Sequence, residues 1–222
     1  MAAAEYLGID VGGTGVKMGI VHSDTGQISN FQSYDTATWR ESHHFLDRLA
    51  DAIALQLYQH KNVKKVGIGL PGILTKNRRT LIEITAIPEI DGSPMIEMLE
   101  KRFPEHNFFM ENDANAAAWG EAKFGAGRNQ NHMMMLTVGT GIGGGIVVNG
   151  SLYRGAFGIA AEFGHLRVVP DGHLCGCGAR GCFEQYASGN ALLRHAREAI
   201  NASPEIARNL LSRGDGTVAG LT

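Results

Sequence analysis

Four shortages narrow the class of this 222-residue chain before any motif is read. No apolar stretch approaches the ~20 uninterrupted residues of a membrane-spanning helix, so no membrane role is expected. No charge of one sign dominates: the formal net charge is −2 and lysines and arginines gather in no long run. The electrostatic footprint of a nucleic-acid binder is therefore missing. Proline is scarce, at 6 residues, and no Pro- or Ser-rich linker or low-complexity segment interrupts the chain. Cysteine is scarcer, and its 3 residues are odd in number. With Met1-Ala-Ala-Ala4 too short for a secretory leader, a disulfide framework is disfavoured and a reducing, cytoplasmic setting is expected.

Glycine is the residue in excess, at 30. It gathers at 12–15, 67–72, 139–145 and 172–181, each time beside an apolar run, as turns that approach ligands do and linkers do not. Residues 6–11 and 16–22 read as strands joined by the tight turn Gly12-Gly13-Thr14-Gly15, with a third strand over 27–34. Phe45, Leu46, Leu49, Ile53 and Leu57 recur at helical spacing and predict an amphipathic helix over 41–60. A strand at 65–70 stops at Pro71-Gly72, a helix follows over 94–103, and a strand over 107–110 leads to Glu111. Asn112 or Asp113 caps the next helix. Strands at 133–138 and 145–148 flank a second glycine turn, and two helices are expected over 190–200 and 204–211. The strand–glycine turn–strand unit thus occurs twice, which predicts two similar α/β domains, 1–111 and 112–222.

Asp10 ends the first strand, and the backbone N–H groups of Gly12, Gly13 and Thr14 can surround phosphate oxygens while the carboxylate holds Mg²⁺ through water. The spacing is neither that of a Walker A loop nor that of a dinucleotide-binding fingerprint, and an ordinary hairpin turn is the alternative. Thr137-Val-Gly139-Thr140-Gly141-Ile-Gly143-Gly144-Gly145 is a second turn of the same type. Two such turns are what a phosphate tail held by two domains requires. Asp113, beside Asn112, is a candidate base for a hydroxyl under attack on phosphorus, or else a helix cap worth ~1 kcal/mol.

All three cysteines lie in Cys175-Gly-Cys177-Gly-Ala-Arg-Gly-Cys182-Phe-Glu184, just after Glu162-Phe-Gly-His165. Three thiolates and one imidazole suit a closed, structural tetrahedral zinc site. His165 or the nearer His173 completes it, and Glu162 and Glu184 flank the cluster.

Taken together these residues resemble the ROK sugar-kinase family, the bacterial glucokinases and their relatives. The matching pieces are DVGGTGVK at 10–17, ENDANAAA at 111–118, TVGTGIGGG at 137–145, EFGH at 162–165 and CGCGARGCFE at 175–184. The resemblance implies an actin-like, ribonuclease-H-like two-domain ATPase fold with ATP and sugar in the interdomain cleft. It implies ATP-dependent phosphorylation of a hexose, most simply of glucose at its 6-hydroxyl in carbohydrate metabolism (glycolysis), with Asp113 as base. Asn112, Glu162, His165, Glu184 and Gly72 would contact the sugar. Asp10, Gly12, Gly13, Thr14, Lys17, Thr140 and Gly141 would hold metal and phosphate. His165, Cys175, Cys177 and Cys182 would bind zinc, the second imidazole nitrogen of His165 being left for the sugar, and a homodimer is the expected assembly. Ala161 departs from the family by replacing a glycine, and relatives continue past residue 222, so the C-terminal part of the larger domain is expected to be truncated. The alternatives in the same class are an N-acetylhexosamine kinase and a polyphosphate-dependent glucokinase, which generally lacks the cysteine cluster. A non-catalytic sugar-sensing regulator is the alternative of another class. Metal removal is expected to weaken sugar affinity before it touches phosphate chemistry.

Overall fold

The computed structural model describes residues 4–41, 44–84 and 86–203, together with 205, 208 and 211. Three meandering strands, β1 (Glu5–Val11), β2 (Gly15–His22) and β3 (Ile28–Asp35), open the chain and pair antiparallel. A short helix, α1 (Thr36–Glu41), precedes α2 (Phe45–Gln59). The helix expected over 41–60 therefore begins four residues later, where Trp39 of α1 meets Phe45 edge-on with ring centroids 5.6 Å apart. Strand β4 (Lys65–Leu70) is followed by the two-stranded patch β5 (Ile73–Leu74) and β6 (Leu81–Glu83), by α3 (Met95–Arg102) and by β7 (Asn107–Asn112). Helix α4 (Asp113–Phe124) continues from β7 without a break. The second glycine-turn pair is β8 (Met133–Val138) and β9 (Ile142–Val148), with β10 (Ser151–Leu152) beside β9. Helices α5 (Glu184–Ala187) and α6 (Gly189–Ala202) follow. The helix expected over 204–211 falls largely outside the described residues. Among the described residues no helix is long and apolar enough to cross a membrane.

The main sheet runs β3-β2-β1-β4-β7, with β1, β4 and β7 parallel. It is the five-stranded sheet of the actin-like, ribonuclease-H-like ATPase fold. Alternating residues of β1 (Leu7, Ile9, Val11) and β4 (Val66, Ile68, Leu70) are buried, and Phe45, Leu49, Ile53 and Leu57 form the buried stripe of α2. These side chains belong to one hydrophobic core, where each buried aliphatic group contributes about 1.5–3 kcal/mol over its exposed state.

By their packing, residues fall into two compact units, Met1–Met134 with Gly145–Ala160 and Met135–Gly144 with Ala161–Thr222. The division expected after residue 111 lies inside the first of these, because α4 follows β7 directly and packs onto β4. A Cβ on Gly69 would meet Ala116 Cβ at 3.6 Å. The second glycine turn is also shorter than the sequence suggests, since β9 starts at Ile142 rather than 145. Two of its glycines serve packing instead of a turn: a Cβ on Gly144 would stand 2.4 Å from the Phe163 ring, and one on Gly145 2.4 Å from Ala118 Cβ.

Candidate active site and metal centre

In the first unit three parallel strands end in register. Asp10 of β1 lies opposite Gly69 of β4, Gly69 opposite Glu111 of β7, and Leu70 opposite Asn112. Open α/β sheets bind ligands at the carboxyl ends of such strands. The sequence sets Asp10, Gly72 and Asp113 at those ends.

The choice between Asn112 and Asp113 as helix cap is decided by geometry. Asn112 Oδ1 accepts the Asn115 N–H at 3.1 Å, so Asn112 caps α4 and Asp113 is its first residue. Asp113 Oδ1 accepts the next N–H, of Ala114, at 2.8 Å. Burial raises the Asp113 carboxyl above its ordinary range against that hydrogen bond, and the charge of Asp10 raises it further.

The first glycine turn is held from outside the motif. Gly12 N–H donates to Gly15 O at 2.9 Å, which leaves Gly13-Thr14 as a two-residue loop. The buried Thr36 hydroxyl donates to Gly12 O at 2.7 Å, and Thr36 N–H to Thr14 O at 3.3 Å. Lys17 faces Asp10 across the β1–β2 pair, with Nζ 3.7 Å from Oδ2 and both side chains exposed, an ion pair worth little to stability. Gly72 adopts φ +119, and a Cβ there would sit 2.2 Å from Glu83 O. The glycine is thus required by its own chain, whatever ligand it meets.

Arg154 is a residue that local sequence patterns did not single out. Its Nε and Nη2 lie 2.7 and 2.6 Å from Glu111 Oε2, with Arg78 Nε at 3.7 Å from the same oxygen. This partly buried pair steadies the strand end two residues before Asp113.

In the second unit the structure gathers His165, Cys175, Cys177 and Cys182, whose ligand atoms all lie within 4.8 Å of one another. Regular tetrahedral zinc, with Zn–S about 2.3 Å and Zn–N about 2.0–2.1 Å, sets sulfurs about 3.8 Å apart and sulfur from nitrogen about 3.6 Å. Cys177 and Cys182 Sγ are 3.7 Å apart, and Cys175 Sγ is 3.6 Å from His165 Nδ1. The donor set therefore fits zinc in both chemistry and spacing. Backbone bonds shape the knuckle: Cys175 N–H donates to Ala179 O at 2.8 Å, and Gly178 N–H to Cys175 O at 3.0 Å. Gly181, at φ +80, leaves no room for a Cβ beside Val169 O. Burial, with the neighbouring sulfurs of Cys177 and Cys175, pushes the Cys182 thiol up to about 12, whereas the Ala179 N–H holds the exposed Cys177 below its ordinary value. A bound cation reverses the first effect, since it stabilises thiolate directly.

His165 turns its two nitrogens different ways, Nδ1 to the cluster and Nε2 to Glu162 Oε2 at 4.0 Å. His173 is not among the gathered ligands. It is half-buried rather than an exposed loop side chain, its ring 5.4 Å from Tyr186 and 6.2 Å from His195. Glu184 is committed to the second glycine turn: its Oε2 accepts the Ile142 N–H at 2.9 Å. Thr140 is exposed and Gly141 half-buried in that turn, which Gly139 N–H closes on Gly141 O at 3.0 Å.

The Ala161 departure has a physical consequence. Its φ is +69, a left-handed conformation that costs an alanine about 1–2 kcal/mol. Glycine relieves this but adds about 0.5–1 kcal/mol of chain entropy to the unfolded state. Ala161→Gly is expected to raise the melting temperature by about 1–4 °C. Calorimetry that found a lower value would contradict the strain.

The ROK family model matches residues 6–215 of the chain. A glucokinase of Streptomyces coelicolor is 46% identical over 217 residues, 97% of this chain and 66% of that protein. A glucokinase of Thermotoga maritima is 39% identical over 198 residues, 89% of this chain and 62% of that protein. Among solved structures, a ROK family glucokinase from Streptomyces griseus in complex with glucose and AMPPNP superposes with a TM-score of 0.81 at 44% identity, covering 98% of this chain and 68% of that one. The chain thus spans about two-thirds or less of the length of these curated relatives.

Proposed function

The chain belongs to the ROK family, and from that premise we propose that it transfers phosphate from ATP to a hexose hydroxyl, most simply the 6-hydroxyl of glucose. The observation that carries the reading is Asp113. It is a half-buried carboxylate with a raised pKa, at the carboxyl end of a parallel strand, relieved of capping duty by Asn112. Such a group accepts the proton of an attacking hydroxyl, because burial makes it a stronger base than an exposed carboxylate. Asn112 spends its Oδ1 on the cap and keeps its amide donors for the sugar. The Nε2 face of His165, with Glu162, offers further polar contacts to sugar hydroxyls, and Gly72 shapes the backbone beside Pro71.

Phosphoryl transfer depends mainly on positioning and charge neutralisation. Gly12, Gly13, Thr14 and Lys17 from the first glycine turn, and Thr140 and Gly141 from the second, are proposed to hold the phosphates. Asp10, an exposed carboxylate at its strand end, would hold Mg²⁺, which supplies the counter-charge. Zinc on His165, Cys175, Cys177 and Cys182 would keep the knuckle closed without taking part in the reaction. We further propose a cytoplasmic protein, in keeping with three cysteines that suit a metal site and form no disulfide, and a symmetric homodimer, the commonest soluble assembly.

The test is a coupled ADP-release screen of the protein across glucose, other hexoses and N-acetylhexosamines. Polyphosphate is offered as alternative donor, with sugar phosphate read directly in that arm. Turnover with glucose and ATP is expected. Sugar binding without turnover under any donor points to the regulator reading instead.

A further inference from the structure

Glu184 stands two residues after the cluster residue Cys182, and its carboxylate engages the second glycine turn. Oε2 accepts the Ile142 N–H at 2.9 Å, and a Cβ on Gly141 would stand 2.5 Å from the same oxygen. The rest of the segment 182–190 is tied down at several points. Phe183 N–H donates to Leu166 O at 2.8 Å, and Gln185 N–H to Cys182 O at 2.9 Å. Arg194 of α6 donates to both the backbone and side-chain oxygens of Gln185. Ser188 caps α6 by accepting the Ala191 N–H at 3.1 Å, and the first N–H of that helix, from Gly189, donates to Gly139 O at 2.8 Å. Asn190 N–H reaches Thr140 O at 3.4 Å. Gly139, Thr140 and Ile142 of the glycine turn and the strand it opens are therefore bonded from one side by the chain that leaves the cysteine cluster.

We propose that Glu184, beside the sugar contact that the resemblance implies for it, is a positioning residue for the phosphate-holding turn, and that it passes the order of the cysteine knuckle to Thr140 and Gly141. The physical reason is that a carboxylate fixed by a short, doubly anchored segment accepts a backbone N–H at roughly twice the strength of a neutral acceptor. The Ile142 amide is then held in one orientation, and with it the peptide planes of Gly141 and Thr140 just before it. A side chain at Gly141 would push the carboxylate out of this place. The inference rests on the reading of residues 139–144 as a phosphate turn.

The experiment uses Glu184→Ala and Glu184→Gln in the whole chain. Amide hydrogen exchange is followed at Ile142, and the dissociation constants of inorganic tripolyphosphate and of glucose are measured separately by calorimetry. In Glu184→Ala, Ile142 protection is expected to fall and the tripolyphosphate constant to rise by at least about tenfold, the scale of one charge-assisted hydrogen bond. Glutamine keeps a neutral oxygen acceptor and is expected to restore about half of both, in keeping with its weaker hydrogen bond. Unchanged Ile142 protection overturns the proposal. So does a rise in the glucose constant alone, with tripolyphosphate within about twofold of the parent. In that case the parent still binds both probes and the kinase reading stands. If the parent protein itself binds no tripolyphosphate, the phosphate-turn reading fails and this proposal falls with it.

Discussion

Replacing Asp113 by asparagine is expected to lower kcat by about 10²–10⁴-fold, the contribution of a positioned general base. The fold is expected to survive, because the helix cap is Asn112 and asparagine at 113 retains an oxygen for the Ala114 N–H. The stability effect has a definite sign. Burial raises the folded-state pKa of Asp113 above that of the unfolded chain, so the folded state holds its proton more tightly. The ionised carboxylate consequently opposes folding at neutral pH, and that opposition disappears as pH falls through the raised pKa. Asparagine removes it, so the melting temperature at neutral pH is expected to stay level or rise. Activity follows the opposite course with pH. The base must be ionised, so kcat/KM is expected to fall on the acid side through a limb above the ordinary ~3.9 of an aspartate. Steady-state rates from pH 4 to 8, with calorimetry of both proteins, check the pair of expectations. Near-parental turnover in the asparagine variant would remove Asp113 from the role of base.

Loss of the metal ligands is expected to have the largest effect on stability. Purified protein should carry about one zinc per chain, the number one tetrahedral set holds. Cys182→Ser, or prolonged chelation, should remove it. In zinc-finger peptides the bound ion contributes on the order of 10 kcal/mol to folding. Here the knuckle keeps backbone bonds of its own, from Cys175 to Ala179 and from Gly178 to Cys175, so part of the order remains. A fall in melting temperature of about 10 °C or more is expected, since each kcal/mol moves a chain of this size by about 2–4 °C. His165→Ala should release zinc and His173→Ala should not, because His165 stands within reach of the three sulfurs and His173 does not. Metal analysis and melting curves decide it. Full stability in chelator, with no zinc bound, would mean that the four side chains meet for another reason. The expectation that metal loss acts on the sugar first is modified by Glu184: Ile142 lies on the same clasp, so both sides should respond.

Much of this was legible in the sequence, and the failures have a common cause. Strands at 6–11 and 16–22 and the stripe Phe45, Leu49, Ile53 and Leu57 follow from local alternation and helical spacing. The three cysteines were legible because thiols at short spacing leave a chemical signature, and the family resemblance added His165, which the structure places beside them. Thr36 and Arg154 were not, since each acts on a motif 24 and 43 residues away and carries no local mark of it. The glycines misled in part. Gly72, Gly144 and Gly145 look like ligand-facing turn residues, yet each is glycine because Glu83, Phe163 or Ala118 comes too near for a side chain.

By itself, the sequence determined the family, the α/β order of elements, the candidate base and the three cysteines of the cluster, because these depend on residue type at short spacing. Spacing alone left His165 and His173 as rivals for the fourth position. Only the tertiary structure decided that Asn112 rather than Asp113 caps the helix, that Asp113 is raised by burial, and that Glu184 clasps the second glycine turn. Each of those is a matter of distance and solvent exclusion between residues brought together by packing, and no local pattern encodes either quantity.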